Sequence, residues 1–533
     1  MMVDDQHGTF NAYRCFCAYC REAFTRDTGC ILPMPDQMKE FYTTESPLRA
    51  RWQHWQQYQE GKYLNELRAA AKKVKPSIKF TNYGVDFRLA LGHLHGIAPY
   101  LDVFGVELAA ADVYSLHYRF YMAHRKLILA LGEAYDRPVW LLYSDRKDIT
   151  DPVLRRYSTW AMASLARSGV DYFGWTIKYD NLVPDWPERM DFRYKTTLSN
   201  VAILNREDSR YNYELKNFSE APLYEQNGIS QLLAKKFVPH EFITPKSLKD
   251  LKKLAKWELI IAGDVDVMEK AELEVLRKYV ANGGKLLITG RFAGVDSLYR
   301  QQDANIFSDV TGVEYKSKLL KPGKGINTAN KKWSFPTENM KIVSKTAKVV
   351  ATFPDGTPAV TVNKFGKGLC VVSAAAAARK NGEMPHSAAF KLGKVWQWKE
   401  IPEVEEFMQF LLKSAEFSKA PYSVQTAEEH VLVEACSDTK TDKVYFQVLR
   451  VPRSKVEFGK PTKPLTTTFA ELAPAKNPVV ITTAFKVKSA YASSPRDFAG
   501  KKDLPVKQLP DGGSQITLDG KLLKVYNLIT VDR

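Results

Sequence analysis

Short apolar runs alternate with longer stretches of helical periodicity through the first part of the chain. SIKFTNYG (77–84), YLDVFGVEL (100–108), RPVWLLYSD (137–145) and VDYFGWTIKYDN (170–181) have the length and composition of strands. Between them, LHYRFYMAHRKLILALGEAY (116–135) and PVLRRYSTWAMASLARSG (152–169) place apolar residues three and four apart, as one face of a helix requires. This alternation predicts βα units on a parallel sheet. The strands end in polar or acidic clusters, and in βα folds the C-terminal strand ends carry the chemistry. MMVDD (1–5) reads as the tail of one more such strand.

A second α/β region opens at LSNVAILNREDSRY (198–211). It continues through a helix around NGISQLLAKK, the strand WELIIAGD (257–264), the amphipathic helix MEKAELEVLRKYVANGG (268–284) and the strand KLLITG (285–290). Asn282-Gly283-Gly284 supplies the helix stop, because glycine tolerates a left-handed cap. TPAVTVNKFGKGLCVVSAA (357–375) closes this doubly wound layer, and EVEEFMQFLLKS (403–414) is a helix burying Val404, Phe407, Met408 and Leu411. After Pro421 the pattern turns to short alternating segments, among them the hairpin HVLVEAC-SDTKTD-KVYFQVLRV (430–451), NPVVITTAF and the final KLLKVYNLITV. A small antiparallel β-sandwich is expected there. The domain boundaries that follow are 1–197, 198–418 and 419–533.

With 533 residues, 45% of them hydrophobic and 12% aromatic, the chain can bury several cores. No apolar run reaches the roughly 18 residues a membrane helix needs, so no membrane partner is expected. The net charge of +17 raises the question of nucleic acid. The lysines, however, are spread as in KSLKDLKKLAK (246–256), where they alternate with leucines at helical spacing. That pattern predicts an amphipathic helix with a solvated lysine face, and no nucleic-acid partner.

Half of the six cysteines, Cys15, Cys17 and Cys20, lie in CFCAYC. C-x-C-x2-C spacing can bring three thiolates to one tetrahedral zinc, with Cys30 the nearest fourth candidate in sequence. A local disulfide or a chance cluster is the competing reading. Carboxylates at strand ends form a second constellation: Asp4, Asp5, Glu107 and Asp145. Glycosidic cleavage needs two carboxyl groups flanking the bond, whereas single acidic residues in such loops are usually solvated or cap a helix. Tyr83, Tyr143, Trp175 and Trp186 belong to the same rim, where aromatic faces can stack on sugar rings or simply pack.

On these residues the first 200 positions resemble the later part of the barrel in family 42 glycoside hydrolases, the β-galactosidase family. VDDQHG before CFCAYCREAF stands where that family has a strand-four Asn-Glu-Tyr followed by a C-x-C-x2-C zinc loop. FTNYG resembles its strand five, LDVFGVE its strand six and GVDYFGW its strand eight. VAILN, WELIIAGD and LRKYVANGGKLLITGR resemble its trimerisation domain.

The resemblance implies a partial (β/α)8 TIM-type barrel of about strands 4–8, a flavodoxin or class I amidotransferase-like α/β domain, and a C-terminal β-sandwich. It implies retaining hydrolysis of an O-glycosidic bond in a carbohydrate substrate, a homotrimer, and a structural zinc on Cys15, Cys17 and Cys20. Cys30, or a cysteine from earlier barrel sequence, completes the zinc set. Asn82, Tyr83 and Trp175 fall at substrate-binding positions. The strand-four Glu is replaced, which makes Asp5 the acid/base, with Gln6 the other alignment. WLLYSD offers Tyr143 or Ser144 where the family has its nucleophile, leaving Asp145 or Glu107 for that role.

Altered carboxylates make a non-catalytic carbohydrate-binding or assembly protein on the same scaffold the alternative. Since the first three βα units of the barrel have no counterpart here, the chain is expected to be part of a longer or split protein, inactive or incomplete alone. An amidotransferase would need a nucleophilic cysteine after KLLITG, and RFAG follows instead.

Overall fold

The computed structural model describes residues 2–4, 17–37, 41, 47–84, 97–109, 118–144, five positions between 157 and 165, 169–173, 195–210, 221–316, 321–382, 401–418, 420–438, 440–451, 454–457, 466–469 and 473–533. Within them the chain is mixed α/β with large sheets.

The first sheet has five parallel strands in sequential order: β1 (Met2–Asp4), β2 (Thr81–Gly84), β3 (Val103–Ala109), β4 (Val139–Ser144) and β5 (Gly169–Phe173). Helix α1 (Ala18–Thr28) and the long α2 (Pro47–Val74) lie between β1 and β2 in the chain. They clasp each other through Phe24, whose ring meets Trp52 edge-on at 5.2 Å and Trp55 at 5.6 Å. Gly29 ends α1 at φ 69°, the left-handed cap that only glycine adopts freely. Helix α3 (Tyr118–Ala134) buries Met122, Leu127, Ile128 and Leu131 in one core with Phe80, Phe104 and Val139.

The second sheet has nine strands and takes up the α/β region. Its strands are β6 (Val201–Leu204), β7 (His240–Ile243), β8 (Leu259–Val267), β9 (Lys285–Val295), β10 (Lys321–Asn327), β11 (Lys332–Asn339), β12 (Lys348–Thr352), β13 (Pro358–Phe365) and β14 (Gly368–Ser373). Their spatial order is β11-β10-β12-β13-β14-β9-β8-β6-β7, parallel from β14 to β7. Every residue of β8 is buried, because helices cover both faces of a parallel sheet. The helices include α4 (Ala221–Lys235), α5 (Lys270–Ala281) and α6 (Pro402–Ser414). A capping box between Glu269 and Glu272 starts α5, and Gly283 at φ 110° turns the chain out of it. As the spacing predicts, α6 buries Val404, Phe407, Met408 and Leu411.

Two expectations change. Residues 357–375 form an antiparallel hairpin, β13 and β14, turning at Gly366, and only β14 pairs with β9. Beyond it the sheet gains β10, β11 and β12, for which the apolar pattern holds no clear signal. The lysine-rich 246–256 stretch is not one helix. It is a 3-10 turn (Pro245–Lys249) and a single-turn helix (Leu251–Leu254). Asp250 separates them: its backbone is extended, and its carboxylate accepts from the N–H groups of Lys252 and Lys253 at 2.9 and 3.4 Å. A competent N-cap inside an amphipathic run restarts the helix there.

Besides a separate pair of strands, Ser454–Glu457 with Thr466–Phe469, the C-terminal part forms two larger antiparallel sheets. One contains Tyr422–Gln425, Val479–Thr483, Ser514–Leu518 and Val506–Gln508, and the other is built around Val431–Asp438, Lys443–Arg450 and Tyr526–Asp532. Tyr422, Val433, Phe446, Ile481, Ile516 and Ile529 pack between them. The two-residue strand Thr196–Thr197 pairs with the second sheet, tying the chain just before β6 to the sandwich.

Candidate functional site

The predicted rim residues meet the structure unequally. Asp5, Asp145, Trp175 and Cys15 lie outside the described residues. Asn82 and Tyr83 sit on β2 and Glu107 on β3, all toward the C-terminal side of the parallel sheet. Backbone register pairs Asp4 with Tyr83, Tyr83 with Gly105, and Glu107 with Leu142. Adjacent strands thus bring Asp4, Tyr83 and Glu107 to one end of one sheet.

Cys17 caps α1 and Cys20 lies in its first turn, three residues apart and so on one side of the helix. A helix N-terminus favours thiolates, which suits metal donors. Cys17, Cys20 and Cys30 are all thiols rather than half-cystines. The Cys30 sulfur is engaged differently. Arg51 Nη1 donates to it at 2.9 Å, and it contacts the Thr28 carbonyl at 3.7 Å. A guanidinium in that position competes with a second cation for the same sulfur. Among the described residues, no three His, Cys, Asp or Glu side chains gather as a metal site. Cys17 and Cys20 thus share the start of α1, while the Cys30 sulfur is held against Arg51.

The best-defined cluster of charge is at the C-terminal ends of β8 and β9. Asp264 is fully buried, and its backbone has φ 51°. Its carboxylate accepts from Arg291 Nε at 2.9 Å and from Arg379 Nη2 at 2.8 Å. Arg291 Nη1 reaches Asp266 at 3.4 Å, and Arg379 Nη1 pairs with Glu338. Burial alone would raise the Asp264 pKa, but the two arginines outweigh it and hold the carboxyl below its ordinary range. Beside this set, Thr289 Oγ1 donates to Glu225 Oε1 at 2.8 Å. Glu225 is so thoroughly desolvated that its pKa is pushed up to about 8, leaving it protonated at neutral pH.

An open parallel sheet binds ligands where its strand order reverses, here between β6 and β8. In this chain protein fills that crevice. Tyr299 is buried there and donates to the Asp208 carbonyl at 3.2 Å, while Arg206 pairs with Glu272 at 2.6 Å. Helix α2 closes over it: His54 meets the Tyr299 ring at 6.0 Å, Ala50 joins Val267, Val295 and Tyr299 in one cluster, and Arg51 donates to the Leu298 carbonyl. Burial lowers the His54 pKa, which keeps the ring neutral. Each carboxylate of the Asp264–Asp266–Glu338 set is in contact with Arg291 or Arg379 and the crevice is packed, so the geometry braces the sheet. WELIIAGD and KLLITGR both end on members of this cluster. No periodicity, however, could have joined Asp264 to Arg379, 115 residues away.

Residues 200–383 match the family model of the β-galactosidase trimerisation domain. A comparison with curated proteins finds no match. Among solved structures, a catalytic mutant of a family 42 β-galactosidase from G. stearothermophilus superposes with a TM-score of 0.65 at 15% identity, over 97% of this chain and 77% of that one. The β-galactosidase from Bacillus circulans sp. alkalophilus gives 0.61 at 14% identity, again over 97% and 77%. An α-L-fucosidase isoenzyme from Paenibacillus thiaminolyticus gives 0.59 at 12%, over 97% and 75%. These likenesses show the fold, and they include enzymes with different sugars in their names.

Glu225 has a pH signature. Its folded pKa of about 8 exceeds the ordinary 4.5, so the folded state keeps a proton that the unfolded chain releases. Stability should therefore fall as pH rises from about 4.5 to about 8 and level off above that range. Glu225→Gln should remove this part of the slope, worth on the order of a few kcal/mol, in urea titrations at pH 5, 7 and 9. A Gln variant with the wild-type slope would show that Glu225 does not hold the proton.

Proposed function

We propose that the chain carries a glycoside hydrolase scaffold acting on a carbohydrate by a retaining two-carboxylate mechanism. The observation that carries this reading is the strand order of the first sheet. Five parallel strands in sequential order, with a helix in several crossovers, are what staves of a (β/α)8 barrel look like, whereas a doubly wound sheet reverses its order. The reading makes residues 1–197 barrel staves of about strands 4–8, residues 198–418 a trimerisation-type layer and residues 419–533 a β-sandwich. The family match at 200–383 and the likeness to family 42 enzymes over 97% of the chain support it.

In this reading Asp5 protonates the leaving oxygen and later deprotonates water, while Asp145 or Glu107 attacks the anomeric carbon. Glu107 is out of phase with Phe104, which is buried in the helix-side core, and in phase with Gly105, the register partner of Tyr83. Tyr83 thus belongs with Glu107, and Asn82, the partner of Phe104, belongs to the other phase. Trp175 would supply the stacking face.

Hydrolysis of nitrophenyl β-D-galactoside and α-L-fucoside, followed by proton NMR of the released anomer, tests the reaction. On a complete barrel the expected result is retention, with kcat lowered about 10²–10⁴-fold in Asp5→Asn. Glu107→Gln and Asp145→Asn should separate the nucleophile from a bystander. Turnover indifferent to all three substitutions would refute the assignment. Sugar binding without turnover would favour the non-catalytic alternative.

A structural zinc on Cys15, Cys17 and Cys20 belongs to the same reading, and it would pin the preceding loop to the start of α1. Metal analysis should find up to one zinc per chain, with Cys17→Ser losing it and Cys30→Ser keeping it. Equal metal content in wild type and Cys17→Ser would remove zinc from the account. A homotrimer assembled through the 198–418 layer completes the proposal, since closed cyclic symmetry suits three copies. Light scattering should return three times the chain mass, and a monomer at micromolar concentration would contradict it.

A further inference from the structure

The lysines of 246–256 lie beside a cavity of about 350 Å³, large enough for one small ligand. It opens between the end of α3, the strand Thr196–Thr197, β7 and the broken segment that follows β7. Five of its fifteen described lining residues are lysines, against 77 lysines and arginines in all 533 residues. The lining is therefore enriched beyond the chain's general basicity.

The lysines divide by their partners. Lys195 is paired with Asp438, and Lys256 lies 2.6 Å from Glu241 Oε1. Lys246 stands over the Tyr135 ring at 4.6 Å. Lys252 and Lys253 have no carboxylate partner for their ammonium groups among the described residues. Asp250 takes only their backbone N–H groups. Two adjacent like charges at the mouth of one cavity raise its potential for an anion.

The inner wall has opposite chemistry. Glu241 is buried, and its Oε1 accepts from Trp257 Nε1 at 2.8 Å and Ser199 Oγ at 3.0 Å as well as from Lys256. Those donors hold the carboxylate in place at the wall, and Glu133 lines the cavity from α3. Carboxylates accept from hydroxyl groups and repel a bare anion. A ligand that suits both walls carries a strong anion at one end and hydroxyls at the other. We propose that this cavity binds a monosaccharide ester of phosphate or sulfate, its charged group on Lys252 and Lys253 and its hydroxyls toward Glu241 and Glu133.

The proposal stands independently of the catalytic reading, and calorimetry on the full chain tests it. The probes are galactose 6-phosphate, galactose 6-sulfate, galactose and inorganic phosphate, all at one ionic strength. At least one ester should bind at least tenfold more tightly than galactose or phosphate, and the tighter ester identifies the anion. Lys252→Glu/Lys253→Glu should weaken that ester at least tenfold. Both side chains are exposed, so the variant should unfold at the wild-type temperature. Lys246→Ala, also at an exposed position, should weaken binding by a smaller factor. Absence of binding by either ester at millimolar concentration, inorganic phosphate binding as tightly as the esters, or affinity unchanged by the double reversal would each overturn the proposal.

Discussion

Asp264 is the point on which the middle of the molecule depends. A carboxylate with no solvent exposure is tolerable only with opposite charge in direct contact, and Arg291 and Arg379 supply it from β9 and from the segment after β14. Removing one member of such a set leaves an uncompensated buried charge, which typically costs about 3–5 kcal/mol. The cluster thus welds three consecutive parts of the nine-stranded sheet at the ends of its central strands. It also turns the edge where related folds hold ligands into a brace.

From that brace the first sheet is positioned. Tyr299 and Leu298, in the loop that follows β9, meet Ala50, Arg51 and His54 of α2. Helix α2 in turn carries α1 through Trp52 and Trp55, so the cysteine-bearing helix start is anchored to the central sheet by aromatic packing. On the far side, Lys126 of α3 bonds the His240 carbonyl at 2.9 Å and Glu434 of the sandwich at 2.7 Å. One buried ammonium thereby links elements of all three parts of the fold. The proposed catalytic rim and the lysine-lined cavity both border α3 or the sheet it covers. Their geometry therefore depends on these contacts as much as on their own residues.

Much of this was legible in the chain. Apolar runs placed the five described strands of the first sheet, β6, β8 and β9 of the second but not β7, the C-terminal hairpin and the buried face of α6, because burial on one or both faces leaves a periodic imprint. The β-galactosidase trimerisation resemblance was legible in VAILN, WELIIAGD and LRKYVANGGKLLITGR, and the family match at 200–383 agrees with it. Less visible were β10 to β12. At this antiparallel end of the sheet β11 alternates buried with exposed positions, but only Trp333 and Phe335 of its three buried residues are apolar, and β12 buries one position of five.

Sequence by itself determined the order of elements, the cysteine spacing and the supply of carboxylates at strand ends, because those properties are local. Tertiary structure alone decided which distant groups share a space. It turned Cys30 toward Arg51, joined Asp264 to Arg379, and used the Asp250 cap to break a helical lysine pattern into the wall of a cavity. Periodicity records how each residue meets solvent. It carries no record of which buried charge will neutralise which, since that depends on contacts between segments far apart in the chain.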